Sequence, residues 1–147
     1  MQTMSRRAML AGSAATMALA ACSPKTADAP VARTVPAYAD GLAMAAGIAA
    51  GETTALEQVE AAITRAKALE PQINGFAAES FEIARSDAAG LLSGAFAGVP
   101  SAIKDLIDWR GTPTQAGSRG LAGHLADRDN VFASKWRGAG IVSLGKS

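Results

Sequence analysis

Helical and strand-like segments alternate along residues 38–147 of this 147-residue chain, and their order limits the fold more than the composition does. Thr54 and Glu57 form a capping box, in which a threonine oxygen and a glutamate carboxylate satisfy backbone amides at a helix start. Apolar residues then follow helical spacing until Pro71, which is expected to end the helix. Other helices are predicted over residues 38–50, 80–92 and 129–139, and buried strands over residues 101–107 and 141–144. This order predicts an α/β layered fold.

Several local features refine this prediction. Ser80 and Asp129 are expected to cap the helices that they begin. Leu91 is expected to face inward. Residues 73–77 are expected to form a turn into a short strand.

Composition excludes several classes of function. The formal net charge of +1 is too small to indicate a nucleic-acid partner. The single cysteine, Cys22, allows no internal disulfide and no zinc site, so neither a metal nor another cofactor is predicted. Hydrophobic residues make up 49% of the chain but aromatic residues only 5%, so the core is expected to depend on scattered aliphatic side chains.

The first 21 residues have the pattern of an export signal. Arg6 and Arg7 precede an apolar run over residues 8–21, which is too short to span a membrane as a helix. The paired arginines resemble the twin-arginine type of signal. Leu-Ala-Ala-Cys at residues 19–22 resembles a bacterial lipobox, which predicts a lipid anchor at Cys22 on the periplasmic side of the cell envelope, in either membrane. The alternative is a buried cysteine in an alanine-rich helix.

A lysine in an apolar segment is the main candidate for chemistry. Lys104 lies within the predicted strand 101–107, where burial would lower its pKa and make the amine a proton acceptor. Asp105 would then point to the opposite face. Composition alone favours a different interpretation, in which Lys104 is an exposed lysine at the edge of a sheet.

Residues 98–118 have the pattern G-x-P-x-x-x-K-D-x-x-D-x-x-G-x-x-T-x-x-G-S, which resembles the N-terminal core of the amidase signature family. The capped helix with its exit Pro-Gln-Ile-Asn-Gly-Phe at residues 71–76, and the ending Arg-Gly-Ala-Gly-Ile-Val-Ser-Leu-Gly-Lys-Ser at residues 137–147, are also similar to that family. The resemblance implies a mixed β-sheet between helices, incomplete in this chain. With the export signal over residues 1–21 and a flexible tether over residues 22–37, which has no apolar period, residues 38–147 are assigned to the N-terminal portion of an amidase domain.

The resemblance implies an amide hydrolase with a Ser–cis-Ser–Lys triad and an acyl-enzyme intermediate. Lys104 matches the lysine of that triad, and Ser118 is a weaker candidate for a supporting role. The serine-rich segment of the family has no match here, so the chain is expected to be an inactive fragment of a longer reading frame. His124 is expected to be a surface residue.

Two other functions remain open. The chain could belong to a non-catalytic envelope lipoprotein with an amidase-like fold. It could also belong to an A-type amidotransferase subunit, although an export signal argues against that cytosolic role. Under the hydrolase interpretation the partners are a small-molecule amide and, through Cys22, a membrane. The sequence predicts neither the particular amide nor an oligomeric state.

Overall fold

A computed structural model describes residues 37, 38 and 40–147. The predicted signal, the lipid anchor at Cys22 and nearly all of the predicted tether lie outside these residues, and they stay predictions. The helices are α1 (Gly41–Ala49), α2 (Ala55–Ile73), α3 (Phe81–Ala89) and α4 (Val131–Gly138), the strands are β1 (Ala78–Glu79), β2 (Pro100–Ile103) and β3 (Val142–Lys146), and Arg119–Leu121 forms a short 3-10 helix. Within the described residues, no helix combines the length and the apolar character that crossing a membrane requires.

The three strands form a mixed sheet with β3 in the centre. β1 pairs with β3 in antiparallel fashion, and β2 pairs with β3 in parallel, in the order β1-β3-β2. A parallel pair needs a long crossover, and here α4 lies in the connection between β2 and β3. The α/β fold class predicted from the sequence is confirmed.

Helices cover the sheet through two apolar clusters. One cluster joins α2 and α3 to the central strand; its buried members are Val59, Ala62, Ile63, Phe81, Ala84, Ala88, Val142 and Leu144. The other joins β2 to α4 through Ile103, Trp109 and Ala133. These two clusters hold β2 and β3 in place, and the candidate site lies at the end of both strands.

Helix α2 begins as predicted but ends later. The capping box is complete, since the amide of Glu57 donates to Thr54 Oγ1 at 3.1 Å and the amide of Thr54 donates to Glu57 Oε2 at 2.7 Å. The prediction that Pro71 ends the helix is wrong, because α2 continues to Ile73. Proline in the last turn removes one hydrogen bond only, and left-handed Asn74 then closes the helix with its amide on the Glu70 carbonyl at 2.8 Å.

Helices α1 and α3 are shorter than predicted. Asp40 caps α1, with its carboxylate accepting a hydrogen bond from the amide of Ala43 at 2.8 Å, so that helix starts at Gly41. Ser80 precedes α3 but makes no side-chain capping hydrogen bond. Gly90 takes an extended conformation and ends α3 at Ala89. Leu91 therefore lies beyond the helix and is fully exposed, and the prediction that it faces inward is wrong.

Helix α4 is capped by Asn130 instead of Asp129, with the Asn130 side chain accepting from the amide of Ala133 at 2.9 Å. Asp129 is occupied elsewhere, because its carboxylate accepts hydrogen bonds from Arg137 Nε at 2.9 Å and from the amide of Arg110 at 2.7 Å. With this start, Val131 is 75% exposed.

The strands also differ from their predicted limits. β1 comes just after the predicted residues 73–77, and β3 continues two residues beyond the predicted strand 141–144. β2 ends at Ile103 instead of residue 107, because the chain turns there and the amide of Ile107 donates to the carbonyl of Lys104 at 2.9 Å. This early turn changes the environment of Lys104.

Candidate active site

Lys104 follows the last residue of β2, at the carboxyl end of a strand that runs parallel to β3. In open α/β sheets this is the end where ligands bind. The side chain is exposed, and Nζ donates a hydrogen bond to the main-chain oxygen of Ser147 at 2.8 Å. The prediction that Lys104 is buried within an apolar strand is wrong. Lys104 begins the turn after β2 instead of continuing the strand.

A cavity of about 310 Å³ opens beside this lysine. Segments that precede β1, follow β2 and follow β3 contribute to its walls. The lining residues are Ala77, Lys104, Asp105, Leu106, Ala116, Gly117 and Ser147. The site thus lies where the chain leaves the adjacent strands β2 and β3. The loop that carries Ala116 and Gly117 forms another part of the cavity wall.

Asp105 fastens that loop to the turn after β2. The residue is buried, and its Oδ1 accepts a hydrogen bond from the amide of Gln115 at 3.0 Å. Its carbonyl accepts a second hydrogen bond from the amide of Ala116, also at 3.0 Å. Lys104 is exposed and Asp105 is buried, so these neighbours occupy different environments, but the strand that was predicted to point them to opposite faces ends before both of them.

The loop wall itself is a tight turn over residues 115–118. The amide of Ser118 donates to the carbonyl of Gln115 at 2.8 Å, and the central residues Ala116 and Gly117 both have positive φ, 50° and 66°. This is the pattern of a type I′ turn. Alanine in the left-handed region costs about 1–2 kcal/mol, and residues held in such conformations cluster at binding and catalytic sites.

Ser118 lies just outside the cavity. Its side chain is exposed, and Oγ accepts a hydrogen bond from the amide of Gly120 at 3.2 Å, at the start of the 3-10 helix. The cavity wall includes Gly117 but not Ser118. The supporting role suggested for Ser118 therefore stays a prediction.

A second lysine lies beneath the site, and sequence reasoning missed it. Lys146 is fully buried, and its Nζ donates to the carbonyl of Ile107 and to Thr114 Oγ1, the latter at 2.9 Å. Burial lowers the pKa of Lys146, and the negative charges of Asp105 and Asp108 oppose that shift. The signal was present as a lysine soon after the apolar run Ile-Val-Ser-Leu, but the predicted strand stopped at residue 144.

His124 is exposed, as predicted. Its carbonyl accepts a hydrogen bond from the amide of Thr114 at 3.1 Å, so the residue contributes through its main chain to the loop behind the site. Nothing in this contact involves the imidazole.

Comparisons with known proteins give a consistent result. The family model described as Amidase matches residues 57–147. A putative amidase AmiC of Mycobacterium leprae is 41% identical over 108 residues, which cover 74% of this chain and 23% of the relative. The A-type subunit of the glutamyl-tRNA(Gln) amidotransferase of Salinispora arenicola is 37% identical over 110 residues, covering 68% of this chain and 22% of the relative.

A solved structure of 6-aminohexanoate cyclic dimer hydrolase matches with a TM-score of 0.71 and 36% identity, over 77% of this chain and 24% of that one. This confirms that the mixed sheet between helices is part of the amidase signature fold. The chain spans about a quarter of the length of these relatives. The matched residues 57–147 make up more than half of the chain and include the whole lining of the cavity beside Lys104. The chain belongs to the amidase signature family.

Proposed function

We propose that this chain supplies the catalytic lysine of an amide hydrolase, and that Lys104 is that lysine. The observation that carries the proposal is the position of its amine, at the wall of a cavity and at the carboxyl end of β2. The residue also matches the lysine of the family motif over residues 98–118. Position and motif therefore favour the same side chain.

In the proposed reaction, the Lys104 amine accepts a proton that passes from a nucleophilic serine through a second serine. The nucleophilic oxygen attacks the amide carbonyl, and the proton goes to the leaving nitrogen as the carbon–nitrogen bond breaks. Water then attacks the acyl-enzyme and releases the acid. The two serines are expected from a part of the protein that this chain, at a quarter of the length of its relatives, does not match. We therefore expect the 147-residue chain alone to be inactive.

The cavity supports a small substrate. Its volume of about 310 Å³ lies at the lower end of the range for small-molecule pockets. Its walls offer apolar surface from Ala77 and Leu106 together with the polar end of Lys104. A small amide with an apolar substituent fits this combination. Ser118 would act indirectly, because its amide closes the turn that carries Gly117 and its Oγ accepts a hydrogen bond from the amide of Gly120.

The test is the substitution Lys104→Ala in the full-length gene product. Because general base catalysis contributes roughly 10²–10⁴-fold, kcat/KM should fall at least about 100-fold on any amide that the wild type cleaves. The measurement is ammonia or amine release from a panel of aliphatic, aromatic and peptide-like amides. Lys135→Ala is the matched control, because this exposed lysine lies on α4, outside the cavity wall.

Each possible outcome separates the candidate functions. Near wild-type activity for Lys104→Ala would show that the lysine has been misassigned. A wild-type protein that cleaves no amide in the panel would favour the non-catalytic lipoprotein. The similarity to an A-type amidotransferase subunit supports a further arm, in which ammonia from glutamine is transferred to glutamyl-tRNA. We expect no such transfer, since the first 22 residues resemble a signal for export and lipidation.

A further inference from the structure

A buried amine with neutral partners needs a structural reason. Lys146 is fully buried at the last position of β3, and its ammonium group donates to a carbonyl oxygen and a hydroxyl group. Placing a cation in such an environment is costly, and the lowering of the Lys146 pKa by burial agrees with that cost. The positions of the two acceptors indicate the structural role of this amine.

One acceptor belongs to the turn that carries Lys104. The carbonyl of Ile107 accepts from Lys146, while the amide of Ile107 donates to the carbonyl of Lys104 at 2.9 Å. The turn over residues 104–107 is thus closed at one end by its own hydrogen bond and fixed from below by the buried amine. A displacement of Ile107 would move Lys104 with it.

The other acceptor belongs to the loop on the far side of the cavity. Thr114 is buried, and its Oγ1 accepts from Lys146 at 2.9 Å. Two residues further on, Ala116 is part of the cavity wall. One amine therefore ties the segment that carries Lys104 to the segment that faces it.

The main chain around Lys146 holds the same turn from the side. Its position in β3 pairs with Ile103, the residue before Lys104. The amide of Ser147 donates to the Ile103 carbonyl, and the amide of Asp105 donates to the Ser147 main-chain oxygen, both at 2.9 Å. Nζ of Lys104 donates to that same oxygen at 2.8 Å.

We propose that Lys146 is a positioning residue for Lys104, which fixes the turn over residues 104–107 against the loop over residues 112–116. This inference rests on the proposed catalytic role of Lys104. Lys146→Met keeps an unbranched apolar side chain as long as the aliphatic part of lysine but removes both hydrogen bonds, so the carbonyl of Ile107 and the hydroxyl of Thr114 lose a donor. Because small displacements of catalytic groups lower the reaction rate strongly, kcat should fall roughly 10- to 100-fold while KM changes much less.

The decisive measurement does not require activity. In the full-length gene product, brief acetylation with acetic anhydride followed by mass spectrometry gives the labelling rate of Lys104 relative to exposed Lys135. This ratio should rise about 2- to 10-fold in Lys146→Met, the factor that corresponds to weakening one hydrogen bond, because Lys104 Nζ is held less firmly on Ser147.

Two further variants keep the test sharp. Thr114→Val removes only one acceptor and should raise the labelling ratio by a smaller factor. This variant provides the test if Lys146→Met does not fold. Ile63→Ala destabilises the core on α2, in the cluster that joins α2 and α3 to β3, and should lower Tm without changing the ratio.

An unchanged ratio in Lys146→Met and Thr114→Val, or an equal change in Ile63→Ala, would overturn the positioning role. The catalytic role of Lys104 has a separate test. If Lys104→Ala retained hydrolysis, the proposed function would fail whatever the labelling showed. If only the labelling result were negative, the proposed function would stand.

Discussion

Gly140 determines how closely the loop before β2 can approach the turn before β3. Its φ is 87°, and a Cβ at this position would lie 2.5 Å from the Cα of Ala97 and 2.6 Å from the carbonyl oxygen of Ser93. The carbonyl of Gly140 also accepts from the amide of Gly98 at 2.9 Å. These contacts lie just before the first paired residues of β2 and β3. The parallel pair can therefore start here only because residue 140 has no side chain.

Gly140→Ala should therefore be strongly destabilising. The left-handed backbone costs about 1–2 kcal/mol for alanine, and the overlap with backbone atoms adds about 1–3 kcal/mol. We expect the free energy of unfolding, measured by urea titration, to fall by about 2–5 kcal/mol. Gly51→Ala is the control: its φ is 72° but the space around it is open, so only the backbone cost of about 1–2 kcal/mol applies. Equal losses in the two variants would contradict this reasoning.

At the scale of elements, α4 is tied to α3 by an arginine with two carboxylate partners. Arg137 Nε lies 2.9 Å from Asp129 and its Nη1 lies 2.9 Å from Asp87, while the guanidinium stacks on Trp109 with 4.2 Å to the ring centroid. Burial acts to raise the pKa of Asp129, but the hydrogen bonds from Arg137 and from the amide of Arg110 outweigh burial and lower it below the ordinary 3.8.

This pKa shift predicts how stability depends on pH. A carboxyl group whose pKa is lowered on folding stabilises the folded state above its unfolded pKa, and the contribution disappears as pH falls through the folded pKa. Asp129→Asn should therefore lower the free energy of unfolding by about 1–3 kcal/mol at pH 7. The difference from wild type should shrink as pH falls below about 3.8. Denaturant titrations at several pH values provide the measurement.

Exposed Asp127→Asn, which also removes one charge, is the control and should lower the free energy of unfolding by less than about 0.5 kcal/mol. A constant difference for Asp129→Asn across this pH range would show that the ion pair is unimportant.

The elements that the sequence predicts best are those with local signals. The start of α2 follows from Thr54 and Glu57, which are three residues apart and form their hydrogen bonds as predicted. The strand limits depend on pairing between distant segments. Ile103 pairs with Lys146 across an irregularity in the register, and the sequence around either residue carries no sign of that partner.

The sequence motif predicts which residue forms the candidate site, but it does not predict the geometry of that site. The motif around Lys104 selects the residue, yet the exposure of its side chain depends on where β2 ends, and that limit is fixed by β3. Lys146 was missed for the same reason, since β3 extends to include it and the acceptors of its amine, at Ile107 and Thr114, lie far from it in the sequence.

At the scale of the whole molecule, two parts of the sequence carry different information. The N-terminal residues predict where the protein is located in the cell, and the remaining residues predict its fold. Arg6, Arg7 and Cys22 lie outside the described residues, and the prediction of export and lipidation depends on their sequence alone. The tether over residues 22–37 would separate an amidase domain from the membrane surface. We therefore propose that the protein is held at the periplasmic side of the cell envelope.

Substitution of Cys22 tests this location. Only a thiol can form the thioether to the lipid, so Cys22→Ser should abolish incorporation of labelled palmitate in the producing bacterium and move the protein from the membrane fraction to the soluble fraction. Ser23→Ala, one residue further along, is the control and should keep both the label and the membrane association. Continued labelling of Cys22→Ser would place the lipid anchor at another residue.

The support of Lys104 from β3 has a consequence for biosynthesis. The oxygen that holds its amine lies 43 residues further along the chain. At a translation rate of roughly 5–20 residues per second, the ribosome adds that residue about 2–9 s after Lys104. We expect the lysine to have no fixed orientation before then, because the central strand β3 and the amine of Lys146 are added only just before that residue. A nascent polypeptide released during this interval would carry the motif without an ordered site.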